Sequence, residues 1–317
     1  MREFASALAP LMREYEAYQI VSGRLCESYA VMLRIFDRHC ETNFPDAERL
    51  TQGMVDVWCA KRDTENNMSC RRRIYPVVSF IRFLQKRGAT DVVTPDMPRR
   101  EPNSYIPHAF TDIELSNFFR ACDNIPHGPS KQEKTRRLTL PVFFRLLYSS
   151  GIRTNEVRQL RRSDVNLSDG VLNIAFSKGH QQHFAVLHDS MLRLMQRYDI
   201  AIDALYPDRT YFFPVGDDKQ HTGSWVSTNF KQMWLQYNSA YAIPYDLRHN
   251  YAIENINSWT DDGFAFSDKL YYLSKSMGHS VVESTKYYYS IVPRLADVLA
   301  AHTDEDETIP EVPHASN

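Results

Sequence analysis

Residues 277–292 read MGHSVVESTKYYYSIV, which places a histidine directly after a glycine and three consecutive tyrosines eight to ten residues after that histidine. Tyrosine side chains are large and half apolar, so they usually serve as packing residues. A phenol is also a nucleophile, and an enzyme that attacks phosphorus with a phenol forms a covalent intermediate. With a reference pKa of about 10, the phenol is protonated near neutral pH. Such a site therefore needs a group that accepts the proton and fixed positive charge around the phosphate oxygens.

The composition indicates a globular protein with more than one domain. The chain has 317 residues, of which 43% are hydrophobic, and this length exceeds one typical domain. No apolar run approaches the ~18 residues of a membrane span, and the first residues lack the pattern of a signal peptide. The five cysteines are odd in number and form no CxxC pair, which is typical of reduced, mostly buried thiols. We therefore expect a cytoplasmic protein with no membrane-spanning segment.

The net charge of −2 conceals an uneven distribution of charge. The first hundred residues carry a net charge of +3, residues 101–300 are balanced, and the last 17 residues carry five acids and no base. Without this acidic end the body of the chain is mildly basic, which permits DNA binding through local patches without requiring it. Residues 303–317 are expected to form a disordered acidic tail.

The first part of the chain, residues 1–98, is predicted to be a compact module of four helices. Apolar residues recur at helical spacing in four segments, at 4–18, 25–40, 54–60 and 70–86. Thr51 is a candidate N-cap of the third helix, and Gly88 is expected to end the fourth. The basic cluster of this module contains three consecutive arginines, Arg71, Arg72 and Arg73. It fits a phosphate-contacting surface and an ordinary solvated helix face equally well.

Prolines at 95, 98, 102 and 107 exclude helix and predict an extended linker at 99–107. Residues 108–302 then form a second domain. A capping box at Thr111–Glu114 predicts a helix to about Cys122, and further helices are predicted at 140–149, 154–160, 226–237, 247–257 and 269–277. Between them, alternating apolar residues from Val165 to Val186 predict a small antiparallel hairpin or three-stranded sheet, with a turn at 177–180. The predicted fold class is mainly α with a small antiparallel β-sheet.

Four motifs of this second domain follow one another in the sequence. They are Gly151-Ile152-Arg153-Thr154-Asn155-Glu156, then Lys178 in the hairpin turn, then Tyr245-Asp246-Leu247-Arg248-His249, and finally Gly278-His279 with Tyr288 nine residues beyond. In this order and at these spacings the motifs resemble those of the tyrosine recombinases, or phage integrase family. That family has an arginine in G-x-R-x-x-E, a lysine in a β-hairpin, H-x-L-R-H, L-G-H and a tyrosine. The resemblance covers the whole chain and implies a DNA-clasping helical module followed by a catalytic domain.

The resemblance implies a role for each matching residue. Tyr288 would attack the scissile phosphate, leaving a 3′-phosphotyrosyl bond and a free 5′-hydroxyl, while Tyr287 and Tyr289 would be packing residues. Arg153 and Arg248 would clamp the two non-bridging oxygens, because a planar guanidinium matches phosphate bidentately. Three further roles follow: Lys178 would be the general acid for the leaving 5′-oxygen, His279 would donate a hydrogen bond to the phosphate, and Glu156, one helical turn from Arg153, would fix that arginine.

One motif departs from the family pattern. Tyr245 stands where the family usually has the first histidine of H-x-L-R-H, and a phenol is a poor base near pH 7, whereas a neutral imidazole accepts a proton readily. Tyr245 can still donate a hydrogen bond to a phosphate oxygen. We hypothesise that the enzyme is active, with proton acceptance transferred to water, His279 or His249.

The resemblance implies that the reaction uses no cofactor, metal or nucleotide. His180, His183 and His188 lie in or after the hairpin, but no cysteine lies near them in the sequence, so no zinc site is predicted. The implied partner is double-stranded DNA carrying recombination sites, bound by a dimer per site and a homotetramer overall, in a nucleoid-associated enzyme.

Two other functions use the same residues differently. A type IB topoisomerase would relax DNA with the same catalytic set, although the two-domain layout and the motif spacing favour a recombinase. A catalytically silent DNA-binding accessory factor would explain Tyr245, but it has no physical need for the full set of charged residues and Tyr288. Integration, excision, resolution and inversion all remain open, as does the DNA sequence of the target, because specificity is spread over base contacts and DNA deformability.

Overall fold

The computed structural model describes residues 3–101, 105–175, 182–259, 266–279 and 285. The chain divides into two compact units, Met1–Tyr105 and Ile106–Asn317. The division lies within the segment 99–107 that the sequence predicts to be a linker. Within the described part of the chain, no helix is both long and apolar enough to cross a membrane.

The first unit contains the four predicted helices, α1 (Ala9–Val21), α2 (Glu27–Asn43), α3 (Gln52–Cys59) and α4 (Asn67–Gln85). Their apolar faces enclose one core, in which Phe36, Trp58 and Phe80 are almost completely buried. The predicted N-cap of α3 is confirmed, since the Thr51 side chain accepts a hydrogen bond from the Met54 amide.

The start of α1 was predicted five residues too early, at Phe4 instead of Ala9. Pro10 occupies the first turn of the helix, where its fixed φ and missing N–H are tolerated. The preceding backbone is held by α2, because the Asp37 carboxylate accepts hydrogen bonds from the Ala5 and Ser6 amides and the Ser6 hydroxyl. Phe4 is nevertheless buried, so its apolar side chain belongs to the core although its backbone is not helical.

The arginine cluster of α4 does not present a uniform basic surface. Arg73 is only 5% exposed; its guanidinium pairs with Glu65 and donates to the carbonyls of Trp58 and Ala60. The Arg73 donors are thus used in stabilising the module, and the DNA-contacting reading of the arginine cluster stays a prediction. Arg71 is partly buried and donates to the Pro98 carbonyl, whereas Arg72 is exposed.

The second unit is mainly helical, with two small antiparallel sheets. Its helices are α5 (Asp112–Asp123), α6 (Lys131–Ser150), α7 (Thr154–Gln159), α8 (Asp189–Asp203), α9 (Gly223–Trp234), α10 (Asp246–Asn257) and α11 (Phe266–Ser276). The strands β1 (Val165–Asn166), β2 (Val171–Ile174) and β3 (His183–Val186) form a three-stranded sheet in the order β1-β2-β3, while β4 (Pro214–Val215) and β5 (Lys219–Gln220) form a second sheet. The predicted fold class, mainly α with a small antiparallel sheet, is confirmed.

Local capping signals fix several of these boundaries. The predicted capping box between Thr111 and Glu114 opens α5. The start of α6 was predicted nine residues too late: the helix begins at a second capping box, between Ser130 and Glu133, and continues through Pro141. Helix α6 ends, as predicted, at Gly151, whose φ of 63° is left-handed. The predicted hairpin turn at 177–180 lies outside the described residues.

Candidate functional site

Arg153 lies in the tight connection between α6 and α7, immediately before the first residue of α7. The Glu156 carboxylate accepts a hydrogen bond from the Arg153 backbone amide at 2.7 Å and another from Arg153 Nη1 at 2.6 Å. The Glu156 side chain is 1% exposed, whereas that of Arg153 is 19% exposed. This pair therefore consists of a buried carboxylate that holds a partly accessible guanidinium in one orientation.

Arg248 occupies the first turn of α10 and is 1% exposed. The turn into this helix is closed by the Asp246 carboxylate, which accepts from the Ile243 amide at 2.9 Å. Arg248 Nη1 donates to the Gly151 carbonyl, and Nη2 donates to the Met277 carbonyl at 2.8 Å. Its buried Nε has no hydrogen-bond partner among the residues that the structure describes.

The turn that ends α11 brings the two arginines together. Gly278 has a φ of 63°, a conformation that glycine adopts without steric cost, and the reversal exposes two consecutive carbonyls. Met277 offers its carbonyl to Arg248, and Gly278 offers its carbonyl to Arg153 Nη2 at 2.9 Å. Arg153 and Gly278 are 125 residues apart in the sequence, so the fold converts separate motifs into one cluster of positive charge.

His279 follows this turn and adds a ring to the arginine pair. Its Nε2 lies 2.7 Å from Arg248 Nη2, and its Nδ1 lies 2.6 Å from the Thr285 hydroxyl oxygen. Because a guanidinium only donates, Nε2 accepts in this arrangement, and the ring proton resides on Nδ1 and is donated to Thr285. Burial, followed by the charges of Arg248 and Arg153, lowers the pKa of His279 to about 4. The imidazole is therefore neutral near pH 7.

Tyr245 lies at the N-terminal boundary of α10, three residues before Arg248. Its side chain is 38% exposed, and its ring meets that of His249 edge-on with centroids 5.0 Å apart. His249 is buried, and burial together with the Arg248 charge lowers its pKa to about 4. Tyr245 also lines a mostly apolar cleft of about 810 Å³ whose wall includes Thr154 and Asn155, the residues after Arg153. The side chain at the departing position is thus accessible.

The predicted site residues fall into three groups. The structure brings together Arg153, Glu156, Arg248 and His279, with Tyr245 at the start of the helix that carries Arg248. Lys178 and Tyr288 lie outside the described residues, so their expected roles stay predictions. Arg71, Arg72 and Arg73 belong to the other compact unit.

Two residues of the site had no assigned role in the sequence analysis. Thr285 is completely buried, and its hydroxyl contacts His279. His183 was considered only as a metal ligand, and it lies within 4.0 Å of Glu156. His183 and Glu156 are brought together by the fold, so their contact has no local signal in the sequence, whereas Thr285 lies only six residues after His279.

Comparison with known proteins places this geometry in context. Residues 110–293 match the family described as "Phage integrase family". The y4rE protein of Sinorhizobium fredii (strain NBRC 101917 / NGR234), which bears the provisional name of an integrase/recombinase, is 27% identical over 299 residues, covering 91% of this chain and 93% of its own. The tyrosine recombinase XerD of Rickettsia prowazekii (strain Madrid E) is 24% identical, over 75% of this chain and 78% of its own.

A similar fold occurs among solved structures. The site-specific recombinase XerH, in a post-cleavage complex with a palindromic difH substrate, superposes with a TM-score of 0.58 over 88% of this chain and 79% of its own, at 14% identity. At this identity the likeness concerns the fold. It agrees with the arrangement of helices and small antiparallel sheets described above.

Proposed function

Because the chain belongs to the phage integrase family, and is accordingly a DNA strand-exchanging enzyme of the tyrosine recombinase type, we propose that it cuts and rejoins specific DNA sites through a 3′-phosphotyrosyl intermediate on Tyr288. One observation supports this proposal above all others. Arg153 and Arg248 donate to the consecutive carbonyls of Gly278 and Met277, immediately beside His279. This is a preorganised cluster of fixed positive charge, as the attack of a phenol on a phosphodiester requires.

The two guanidiniums are proposed to bind the non-bridging oxygens of the scissile phosphate. Their charge stabilises the pentacoordinate transition state more than the ground state, because negative charge builds up on those oxygens during the attack. The partly exposed Arg153 makes the first contact. Arg248 has one buried N–H with no partner among the described residues, which gives it a donor that a phosphate oxygen satisfies once the site adjusts around DNA.

His279 is proposed to act first as a proton acceptor. With a pKa near 4 the ring is neutral, and its Nε2 accepts from Arg248 Nη2. Once Arg248 turns to the phosphate, this nitrogen is able to take the proton that the phenol loses. The hydrogen bond to the phosphate that the resemblance implied is then donated by the protonated ring. The two roles therefore follow one another, with the proton first removed from the nucleophile and then shared with the phosphate.

Lys178 is proposed as the general acid. It would transfer a proton to the departing 5′-oxygen as the bond between that oxygen and phosphorus breaks and the bond to the Tyr288 oxygen forms. Attack by a 5′-hydroxyl on the phosphotyrosyl bond reverses these steps, so the bond energy is conserved and religation uses no nucleotide or metal ion.

The proposal is tested with a nicked suicide substrate, from which the 5′-product is lost after cleavage so that the covalent adduct accumulates. Tyr288→Phe is expected to bind the DNA but to form no adduct, because it lacks the nucleophilic oxygen. Tyr287→Phe and Tyr289→Phe are matched controls from the same run of tyrosines and are expected to form the adduct. An adduct formed by Tyr288→Phe would move the nucleophile to another residue.

Tyr245 provides a second test, since it stands where the family pattern has a histidine, the residue that usually accepts a proton readily. We expect the protein with its natural Tyr245 to form the adduct, because His279 or His249 is neutral and able to accept the proton. We expect Tyr245→His to be active as well. An adduct seen only with Tyr245→His would contradict the proposed transfer of the proton-accepting role.

The biological reaction is proposed to be integration, excision or resolution for a mobile element. A dimer would occupy each DNA site and a tetramer would join two sites, with the exposed basic residues of the first unit, such as Arg72, contributing phosphate contacts. The segment 293–300, a candidate for docking on a neighbouring subunit, lies outside the described residues. Short inverted repeats flanking a spacer, in DNA next to the gene, are the expected substrate.

A further inference from the structure

His183 is the first residue of β3 and is buried in the second unit without a role in the proposed chemistry. It is 9% exposed, while Phe184 and Val186 in the same strand are 59% and 73% exposed. This alternation places His183 on the inner face of the strand. Strand β3 also packs against α11, the helix that leads to the Gly278 turn, so the histidine faces the element that orients the two arginines.

The His183 ring contacts the Gly278 turn directly. A Cβ atom added at Gly278 would lie 2.4 Å from Cε1, 2.6 Å from Nδ1 and 2.9 Å from Nε2 of this ring. The imidazole therefore packs against the glycine backbone, with no room for a methyl group between them. Glycine at 278 thus serves both the left-handed turn and this close approach.

The same ring lies against the partner of Arg153. His183 Nε2 is 4.0 Å from Glu156 Oε2, on the carboxylate whose other oxygen accepts from Arg153 Nη1. Arg153 is held between two acceptors, the Glu156 carboxylate and the Gly278 carbonyl. His183 touches the groups on both sides of this arginine, so a change in its volume alters the distance between them.

We propose that His183 is a positioning residue that fixes the separation of Glu156 and the Gly278 turn, and thereby the orientation of the Arg153 guanidinium toward the scissile phosphate. The inference rests on the proposed function, because it assigns Arg153 to phosphate binding. A general packing residue would change only the stability of the fold, whereas replacement of His183 is proposed to displace Glu156 and to slow the cleavage step. A displacement of a catalytic group by about 1 Å costs on the order of 100-fold in rate.

The test is a double-mutant cycle on the full-length protein, read out as the single-turnover rate of adduct formation on the suicide substrate and as DNA affinity by gel shift. His183→Ala is expected to slow adduct formation roughly 10- to 100-fold and to leave DNA affinity unchanged. Combined with Glu156→Gln, it is expected to cause little further loss, because the two side chains act on one group. Val186→Ala, exposed on the other face of the strand, is the matched control and is expected to cleave at the wild-type rate.

Each outcome decides a separate point. No adduct with the wild-type protein would refute the proposed function itself. The positioning role would be overturned if His183→Ala cleaves at the wild-type rate. It would also be overturned if the rate loss of the double variant equals the product of the losses of His183→Ala and Glu156→Gln. If His183→Ala does not fold, the experiment uses His183→Gln, which keeps a polar side chain beside Glu156. A reduced cleavage rate of this variant at unchanged DNA affinity supports the inference, and a wild-type rate overturns it.

Discussion

The contact between His279 and Thr285 offers a sharp prediction about the proton-accepting ring. The Thr285 hydroxyl is completely buried and lies 2.6 Å from His279 Nδ1. Thr285→Val replaces the hydroxyl with a methyl group of nearly the same size, which removes the acceptor and fills the same space. The Nδ1–H then loses its partner in a buried position, at a cost of about 1–3 kcal/mol. If the ring turns to recover a partner, Nε2 leaves Arg248.

This cost translates into an effect on the cleavage step. At 1.4 kcal/mol per tenfold change, a loss of 1–3 kcal/mol corresponds to a slowing of about 5- to 150-fold, provided that the loss falls on the active orientation of His279. The assay is the single-turnover rate of adduct formation at saturating protein, with the melting temperature measured in parallel. Thr285→Ser keeps the hydroxyl and is expected to retain most of the rate. If Thr285→Val cleaves at the wild-type rate with an unchanged melting temperature, the hydrogen bond does not orient the ring.

Two further predictions concern the stability of the fold. Three histidines have their pKa lowered to about 4, chiefly by burial, namely His221, His249 and His279. Unfolding raises these pKa values toward 6.5, so below pH 6.5 the unfolded chain binds more protons than the folded one. The free energy of unfolding should therefore fall from pH 6.5 toward pH 4, by up to about 1.4 kcal/mol per pH unit for each histidine. A melting temperature that stays constant from pH 6.5 to pH 5 would contradict this prediction. Gly151→Ala adds a Cβ 2.2 Å from the Tyr251 ring and should lower the melting temperature more than Gly216→Ala, which has a similar positive φ in open space. Equal effects would show that backbone strain, and not the close contact, determines the cost.

Elements whose ends depend on local interactions could be predicted from the sequence. The caps at Thr51 and Thr111 have their donor and acceptor within three residues, so the sequence contains the whole interaction. Ser130 and Glu133 form the same local signal, so the true start of α6 could also have been predicted from the sequence. The backbone that precedes α1 and the burial of Arg73 depend on contacts with Asp37 and Glu65, which only the tertiary structure forms.

The candidate site shows the same division. Arg153, Arg248 and His279 could be identified because each belongs to a short motif in a family-like order. Their mutual geometry depends on the carbonyls of Met277 and Gly278, and backbone acceptors have no sequence signature. The role of His183 is invisible in the sequence for a related reason, since its partners lie on α7 and on the turn after α11.

The most direct measurement of the central claim is the identity of the residue that is covalently joined to DNA. Trypsin cleavage after Lys286 and Arg294 would release the three tyrosines on one short peptide, and fragmentation of the nucleotide-bearing form locates the phosphodiester. We expect the DNA to be attached through its 3′-phosphate to the oxygen of Tyr288. Attachment to any other side chain, or no adduct from a protein that binds its DNA site, would contradict the account.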